Sequence, residues 1–140
     1  NTRHIGIGYL NGYGMQSGAV ATSVAHDSHN IVVIGCSDEE MARAANMIIK
    51  SKGGLVAWSY DQHKCIPLPI AGLMTDQNGY KIAGDYLLLV ALAKEFGSTL
   101  NDPFMTMGFM SLLVIPKLKL SDKGLFDCEK FEFTTLFEEF

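Results

Sequence analysis

Apolar and polar positions along this chain change their period several times, and each change marks an element. Ile5, Ile7 and Tyr9 alternate with small residues before glycines and Asn11 punctuate the chain, a period of two that predicts an extended, strand-like opening. Ala19 to Val24 and Ile31 to Ile34 are small or β-branched runs, which predict two strands joined by the polar turn His26-Asp27-Ser28-His29-Asn30. The period then lengthens. Met41, Ala44, Ala45, Ile48 and Ile49 fall at helical spacing behind Ser37-Asp38-Glu39-Glu40, a capping box, so a helix is expected from about Asp38 to Ser51, closed by Gly53-Gly54.

Leu55 to Tyr60 and Cys65 to Leu68 read as two short strands around a polar turn, Asp61 to Lys64, with Pro67 and Pro69 ending the second; together they predict a hairpin. A second helix is expected from about Tyr80 to Phe96, with Ile82, Tyr86, Leu89, Ala93 and Phe96 on one stripe and Gly97 as its stop. Leu87, Leu88 and Val90 widen its apolar surface beyond one stripe, which predicts burial on most sides. Asp102-Pro103 opens a charge-free segment ending at Pro116, whose Phe104, Met105, Met107, Phe109 and Met110 suit a core or an interdomain docking face in preference to a ligand pocket. From Lys117 to Phe140 charges alternate with aromatics such as Phe131, Phe133 and Phe137, predicting a strand and a terminal amphipathic segment. The expected fold is a single compact domain over residues 1–140, α/β or α+β, with a β-sheet packed by at least two helices.

Composition narrows the function more than the fold. At 140 residues the chain fits one domain, and 48% hydrophobic with 19% charged residues excludes a disordered chain. A formal charge of −4 without basic runs argues against nucleic-acid binding. The positive mean hydropathy of +0.16 suggests apolar surface that expects a covering partner, including a second copy in a homo-oligomer. No membrane span is expected, because the longest uncharged stretch, Ile5 to Ala25, is broken by five glycines and several polar side chains. Cys36, Cys65 and Cys128 are odd in number and widely spaced, which suits the reduced thiols of a cytoplasmic protein. The chain also opens at Asn1 directly into patterned sequence, as a piece of a longer protein would.

Candidate chemistry concentrates in one turn. His26 and His29 are three residues apart and could share a divalent metal, although no third ligand stands nearby in sequence. A nucleophile triad built from Ser28 with these neighbours is disfavoured, because such triads assemble from separated elements. Two readings stay open: Asp27, Ser28 and Asn30 serve the turn while the histidines cap backbone groups, or the loop offers donors and acceptors to a site completed elsewhere. Gly12-Tyr13-Gly14 has two glycines of a dinucleotide fingerprint but lacks the third and the helix that should follow, so tight turns and close packing explain it better. Cys36 precedes the capping Ser37, near a helix N-terminus, yet no base accompanies it and a buried, inert thiol is expected.

Four blocks carry a resemblance. Ser23-Val24-Ala25-His26-Asp27-Ser28-His29-Asn30-Ile31-Val32-Val33, Leu68-Pro69-Ile70-Ala71-Gly72-Leu73-Met74, Asp102-Pro103-Phe104-Met105-Thr106 and Leu118-Lys119-Leu120-Ser121-Asp122-Lys123-Gly124-Leu125 resemble, in order, the C-terminal domain of bacterial adenine deaminases of the amidohydrolase superfamily. The resemblance implies hydrolysis of adenine to hypoxanthine and ammonia by a metal-activated hydroxide. It also implies a preceding (β/α)-barrel domain as partner, which would hold the divalent metal, manganese or iron, through ligands that include a His-x-His pair. No His-x-His occurs in this chain, so no metal ligand is carried onto it and no cofactor is expected in it. What it implies here is a domain inactive alone that covers the barrel's active-site mouth or builds a subunit interface. His26, Asp27, Ser28, His29 and Asn30 would then support metal ligands or substrate without being ligands. Two rival readings are a stand-alone ligand-binding or regulatory module of the same fold, and a small metal hydrolase using His26 and His29 themselves.

Overall fold

The computed structural model describes residues 4–137. Its main sheet is antiparallel and consists of β1 (Ala19–Thr22), β2 (Val32–Gly35), β3 (Gly54–Trp58) and β4 (His63–Pro67), in the order β2-β1-β3-β4. Side chains alternate across it, as the pleat requires. Ala19, Ala21 and Val56 face α1 (Asp38–Lys50) and meet Ala44 and Ile48 there. Val20, Ala57 and Ile66 face the other way, toward Leu89, Ala93 and Phe96 of α2 (Gly79–Glu95) with its C-cap, and Phe104 and Met107 of α3 (Pro103–Gly108). The result is an α+β domain in three layers, with both sheet faces covered by helices. A second antiparallel sheet, β5 (Leu118–Ser121), β6 (Gly124–Asp127) and β7 (Glu132–Phe133), packs Phe131 and Phe133 edge-on against Phe126 at 5.3 and 5.2 Å between ring centres.

Helix α1 begins where its cap predicts. The hydroxyl of Ser37 accepts from the Glu40 N–H at 3.3 Å. The carboxylate of Glu40 departs from the expected box: Oε2 accepts from the Ser37 hydroxyl at 2.9 Å, while Oε1 accepts from the Gly18 N–H at 3.0 Å, 22 residues away. A local signal has become a tertiary tie. Helix α2 starts at Asn78, whose side-chain oxygen accepts from the Tyr80 and Lys81 N–H groups, and α3 starts at Asp102 with Pro103 in its first turn.

Four expectations need correction. Ile5, Ile7 and Tyr9 pair with no strand; they are exposed, because alternation alone does not create a ladder partner. Helix α2 is not buried on most sides, since Leu87 is 70% and Leu88 55% exposed while only the stripe through Leu89 and Ala93 meets the sheet. The charge-free segment is not uniform but divides between core and surface: Phe104 and Met107 are buried, whereas Met105 and Val114 are exposed. The tail forms three short strands, not one, and residues 138–140 of the expected terminal segment lie outside the described residues.

Candidate functional site

The 23–33 and 68–74 blocks meet at one end of the main sheet, and α3, which the 102–106 block opens, packs beside them. Beyond β1 the Thr22 hydroxyl accepts from the Val24 N–H at 2.9 Å, which turns the chain out of the ladder. The next side chain, Ser23, is buried and joins three segments: its hydroxyl accepts from the Gly54 N–H at 2.8 Å and donates to the Gly72 carbonyl at 2.5 Å. Gly53 makes this junction possible. It has φ +118°, and a Cβ there would lie 2.3 Å from the Gly72 Cα, so only glycine lets the 68–74 turn rest on the end of β3. The Gly53 carbonyl also accepts from the Leu68 N–H at 3.0 Å.

The His26 to Asn30 turn is held on this junction by its backbone. The His26 N–H donates to the Gly108 carbonyl at 2.9 Å, and the His26 carbonyl accepts from the Ser111 hydroxyl at 3.2 Å, which fastens the turn to the end of α3. The His26 ring stacks on Phe109 at 5.1 Å. His29 has φ +50° and closes the turn, its N–H donating to the Ala25 carbonyl at 2.7 Å and its Nδ1 accepting from the Ala25 N–H at 3.3 Å. Asn30 donates to the Ser28 hydroxyl at 3.2 Å. A turn this well anchored still presents its polar tips: the side chains of His26 and Asp27 are 40% and 85% exposed and approach each other at 3.9 Å.

The turn-closing reading therefore holds for part of the loop. Ser28, His29 and Asn30 make turn bonds, whereas the side chains of His26 and Asp27 are not needed to close it. The ring centres of His26 and His29 are 5.9 Å apart, but among the described residues no group of three or more His, Cys, Asp or Glu side chains is arranged to hold a metal. With Nδ1 of His29 already accepting from the backbone, the donor set does not fit a resident metal centre. Ser28 meets Asn30, which builds no Ser-His-Asp nucleophile. An open cleft of about 300 Å³ lies beside the turn, lined by Ser23, His29, Ile31, Lys52, Pro69 and Gly72 among others.

Elsewhere the candidates resolve into structure. Gly14, at φ +89°, backs onto the Gly97 carbonyl, where a Cβ would come within 2.7 Å; this is close packing, not a phosphate cradle. Cys36 is exposed, contrary to the expected burial, because it stands outside the helix it precedes. Partial burial and then the Glu40 charge push its thiol above the ordinary value, which opposes activation. One polar cluster had little sequence signal. Tyr86 donates to Asp102 Oδ1 at 2.5 Å, the same oxygen accepts from the Met105 N–H at 2.9 Å, and the Tyr13 hydroxyl donates to the Pro103 carbonyl at 3.0 Å. Burial first, and the Asp102 carboxylate second, push both phenols upward, so the cluster is a neutral-phenol anchor that ties the start of α3 to α2 and to the loop at Tyr13. Asp102-Pro103 announces the cap; the tyrosines converge only through the fold.

Comparison with known proteins places the chain in a family. Residues 1–132 match the family model described as adenine deaminase C-terminal domain. An adenine deaminase of Methanothermobacter thermautotrophicus is 50% identical over 135 residues, which cover 96% of this chain and 25% of that protein. One from Sulfurovum sp. is 52% identical over 128 residues, 91% of this chain and 24% of that protein, and one from Borreliella burgdorferi is 46% identical over 130 residues, 92% and 24% respectively. The chain thus spans about a quarter of the length of the curated relatives it matches.

Proposed function

The chain belongs to the adenine deaminase C-terminal domain family, and from that premise we propose that it works as the C-terminal domain of an enzyme hydrolysing adenine to hypoxanthine and ammonia. Its end bearing His26 and Asp27 faces the catalytic domain and closes the active-site mouth. The observation that carries this reading is the anchored turn itself: its backbone is tied to α3, yet His26 and Asp27 keep exposed polar groups that turn closure does not use. Those groups suit hydrogen bonding to a metal ligand or to the purine. The divalent metal, manganese or iron, would be held by the catalytic domain and would supply the activated hydroxide; this chain supplies positioning and exclusion of water.

Hydrolytic chemistry on this reading belongs to the assembled protein, and residues 1–140 are inactive alone. The compartment is the cytoplasm, in keeping with three free thiols and with the absence, among the described residues, of any helix long and apolar enough to cross a membrane. Ammonia release from adenine tests the proposal. The metal-loaded full-length protein should turn over, residues 1–140 alone should not, and removal of this segment should abolish turnover. Sustained ammonia release by residues 1–140, or full activity without them, would overturn it.

A further inference from the structure

Residues 5–10 have the sequence of a strand and none of its bonds. Ile5, Ile7 and Tyr9 alternate with Gly6 and Gly8, and the three large side chains are 84%, 67% and 85% exposed. Among the described residues the backbone of residues 4–12 makes no hydrogen bond. Its glycine side is occupied. A Cβ on Gly6 would collide with the Ser121 carbonyl oxygen, and one on Gly8 would lie 3.6 Å from the Leu120 side chain, so the segment rests on the β5–β6 hairpin through its glycines. Its apolar side has no cover. A groove of about 680 Å³ adjoins it, lined by Ile5, Ile7, Leu125 and Leu136 with Asp122 and Lys123 among others.

Two features identify what covers it. The first is the free backbone: burying this segment without pairing it would leave N–H and C=O groups unsatisfied, whereas a strand laid alongside takes up the backbone groups and packs on alternate side chains. The second is position in the polypeptide. This chain covers 25% and 24% of two relatives, and the family is described as a C-terminal domain, so in such a protein the remaining length runs ahead of residue 1 and leads into this segment. Consecutive strands pair or lie as neighbours in roughly two-thirds of cases. A tethered partner also meets the segment at an effective concentration of about millimolar, which a second copy free in solution does not reach. Three contacts join the segment to the His26 turn: Gly8 lies over Leu120, the Leu120 N–H donates to the Met110 carbonyl at 3.0 Å, and the neighbouring Phe109 stacks on His26 at 5.1 Å. A body docked on the segment is thereby brought beside the turn.

We infer that residues 5–10 are one strand of an interdomain sheet, completed by a strand from the polypeptide ahead of residue 1, with Ile5, Ile7 and Tyr9 packed against that preceding domain. The inference rests on the proposed function only in taking this chain as the C-terminal domain of a longer protein; neither adenine nor catalysis enters it.

Hydrogen–deuterium exchange and photo-crosslinking on the full-length protein test it without reference to activity. Amides of residues 5–10 should exchange about 100-fold or more slower than those of an unstructured peptide of the same sequence. Ile7→Asp should remove that protection here and in one strand ahead of residue 1, while β1 and β3 stay protected and the mass stays that of wild type. With p-benzoylphenylalanine in place of Ile7, the crosslink should form within one polypeptide, to residues ahead of residue 1. Exchange of residues 5–10 at the unstructured rate, a crosslink confined to residues 11–140, or a crosslinked dimer in place of the internal product would overturn the inference. If the protection and the internal crosslink stand while ammonia release is absent, the interdomain strand holds and the deaminase reading alone fails.

Discussion

Glu40 Oε1 accepts a hydrogen bond from the Gly18 N–H at 3.0 Å, joining the first turn of α1 to the entry of β1 across 22 residues. Glu40 as a residue is 8% exposed and Gly18 is buried, so neither partner has water as a ready substitute. Glu40→Ala should destabilise the domain by about 1–3 kcal/mol, the cost of leaving a buried donor unsatisfied. Glu40→Gln keeps an acceptor and should recover part of the loss. Urea denaturation of the three proteins checks this, and equal midpoints for wild type and the alanine variant would refute it.

Asp85 links α2 to β4 through Lys64 at 2.5 Å and to the preceding helical turn through Lys81 at 3.1 Å. Hydrogen bonds from Lys64 and then Lys81, outweighing the opposing effect of burial, hold its carboxyl below the usual aspartate range. A depressed folded-state pKa contributes stability above the unfolded value of about 3.9, and that contribution is lost as pH falls through the lower folded value. Wild type should therefore melt above Asp85→Asn at pH 7, and the gap should close as pH falls below about 4. A gap that widens in acid would contradict this assignment.

Gly53 is the tightest point of the candidate site. Gly53→Ala imposes φ +118° on a residue with a Cβ and drives that atom to 2.3 Å from the Gly72 Cα, so it should cost about 2 kcal/mol or more. Thermal unfolding gives the cost, and a variant as stable as wild type would show that the 68–74 turn can move away freely.

Asp27 is the position where function and stability should separate. Its side chain is 85% exposed, and among the described residues the one ionisable group within 4 Å of its carboxylate is the His26 ring at 3.9 Å. In the full-length protein Asp27→Ala should lower adenine deamination about 10–100-fold, the usual effect of losing a group that supports metal ligands or substrate. Its melting temperature should remain close to wild type. His29→Ala, by contrast, should also lose stability, because His29 Nδ1 holds the Ala25 N–H. Unchanged rates for Asp27→Ala would remove the turn from the active site.

Elements whose signals are local were legible in the sequence. Ser37 caps α1, Gly97 follows the end of α2, and β3 and β4 pair as the expected hairpin because their turn and strand residues lie within one short segment. Properties that depend on distant partners were not. Ile5, Ile7 and Tyr9 show the period of a strand, yet their segment lies beside Leu120 and Ser121 without joining a ladder, and Glu40 carries a capping-box signature while bonding to Gly18. Leu87 and Leu88 suggested a helix buried on most sides, but within the described residues no element packs over them and both are exposed. The His26 to Asn30 turn was visible as a concentration of chemistry. Its division into turn-closing Ser28, His29 and Asn30 and outward His26 and Asp27 required the contacts with Ala25, Gly108 and Ser111.

The two ends of the main sheet differ in how they are finished. At one, Ser23, Gly53 and Gly72 are packed into a junction with no room for an added methyl group at Gly53. At the other, β3 and β4 are joined by a short turn in which Ser59 and Gln62 bond only to each other through backbone and hydroxyl, apart from the Gln62 side chain's contact with Glu95. Asp61, between them, is therefore the natural insertion point for a fluorophore, epitope or purification tag: a label there reports on the protein from the pole opposite the Ser23 junction.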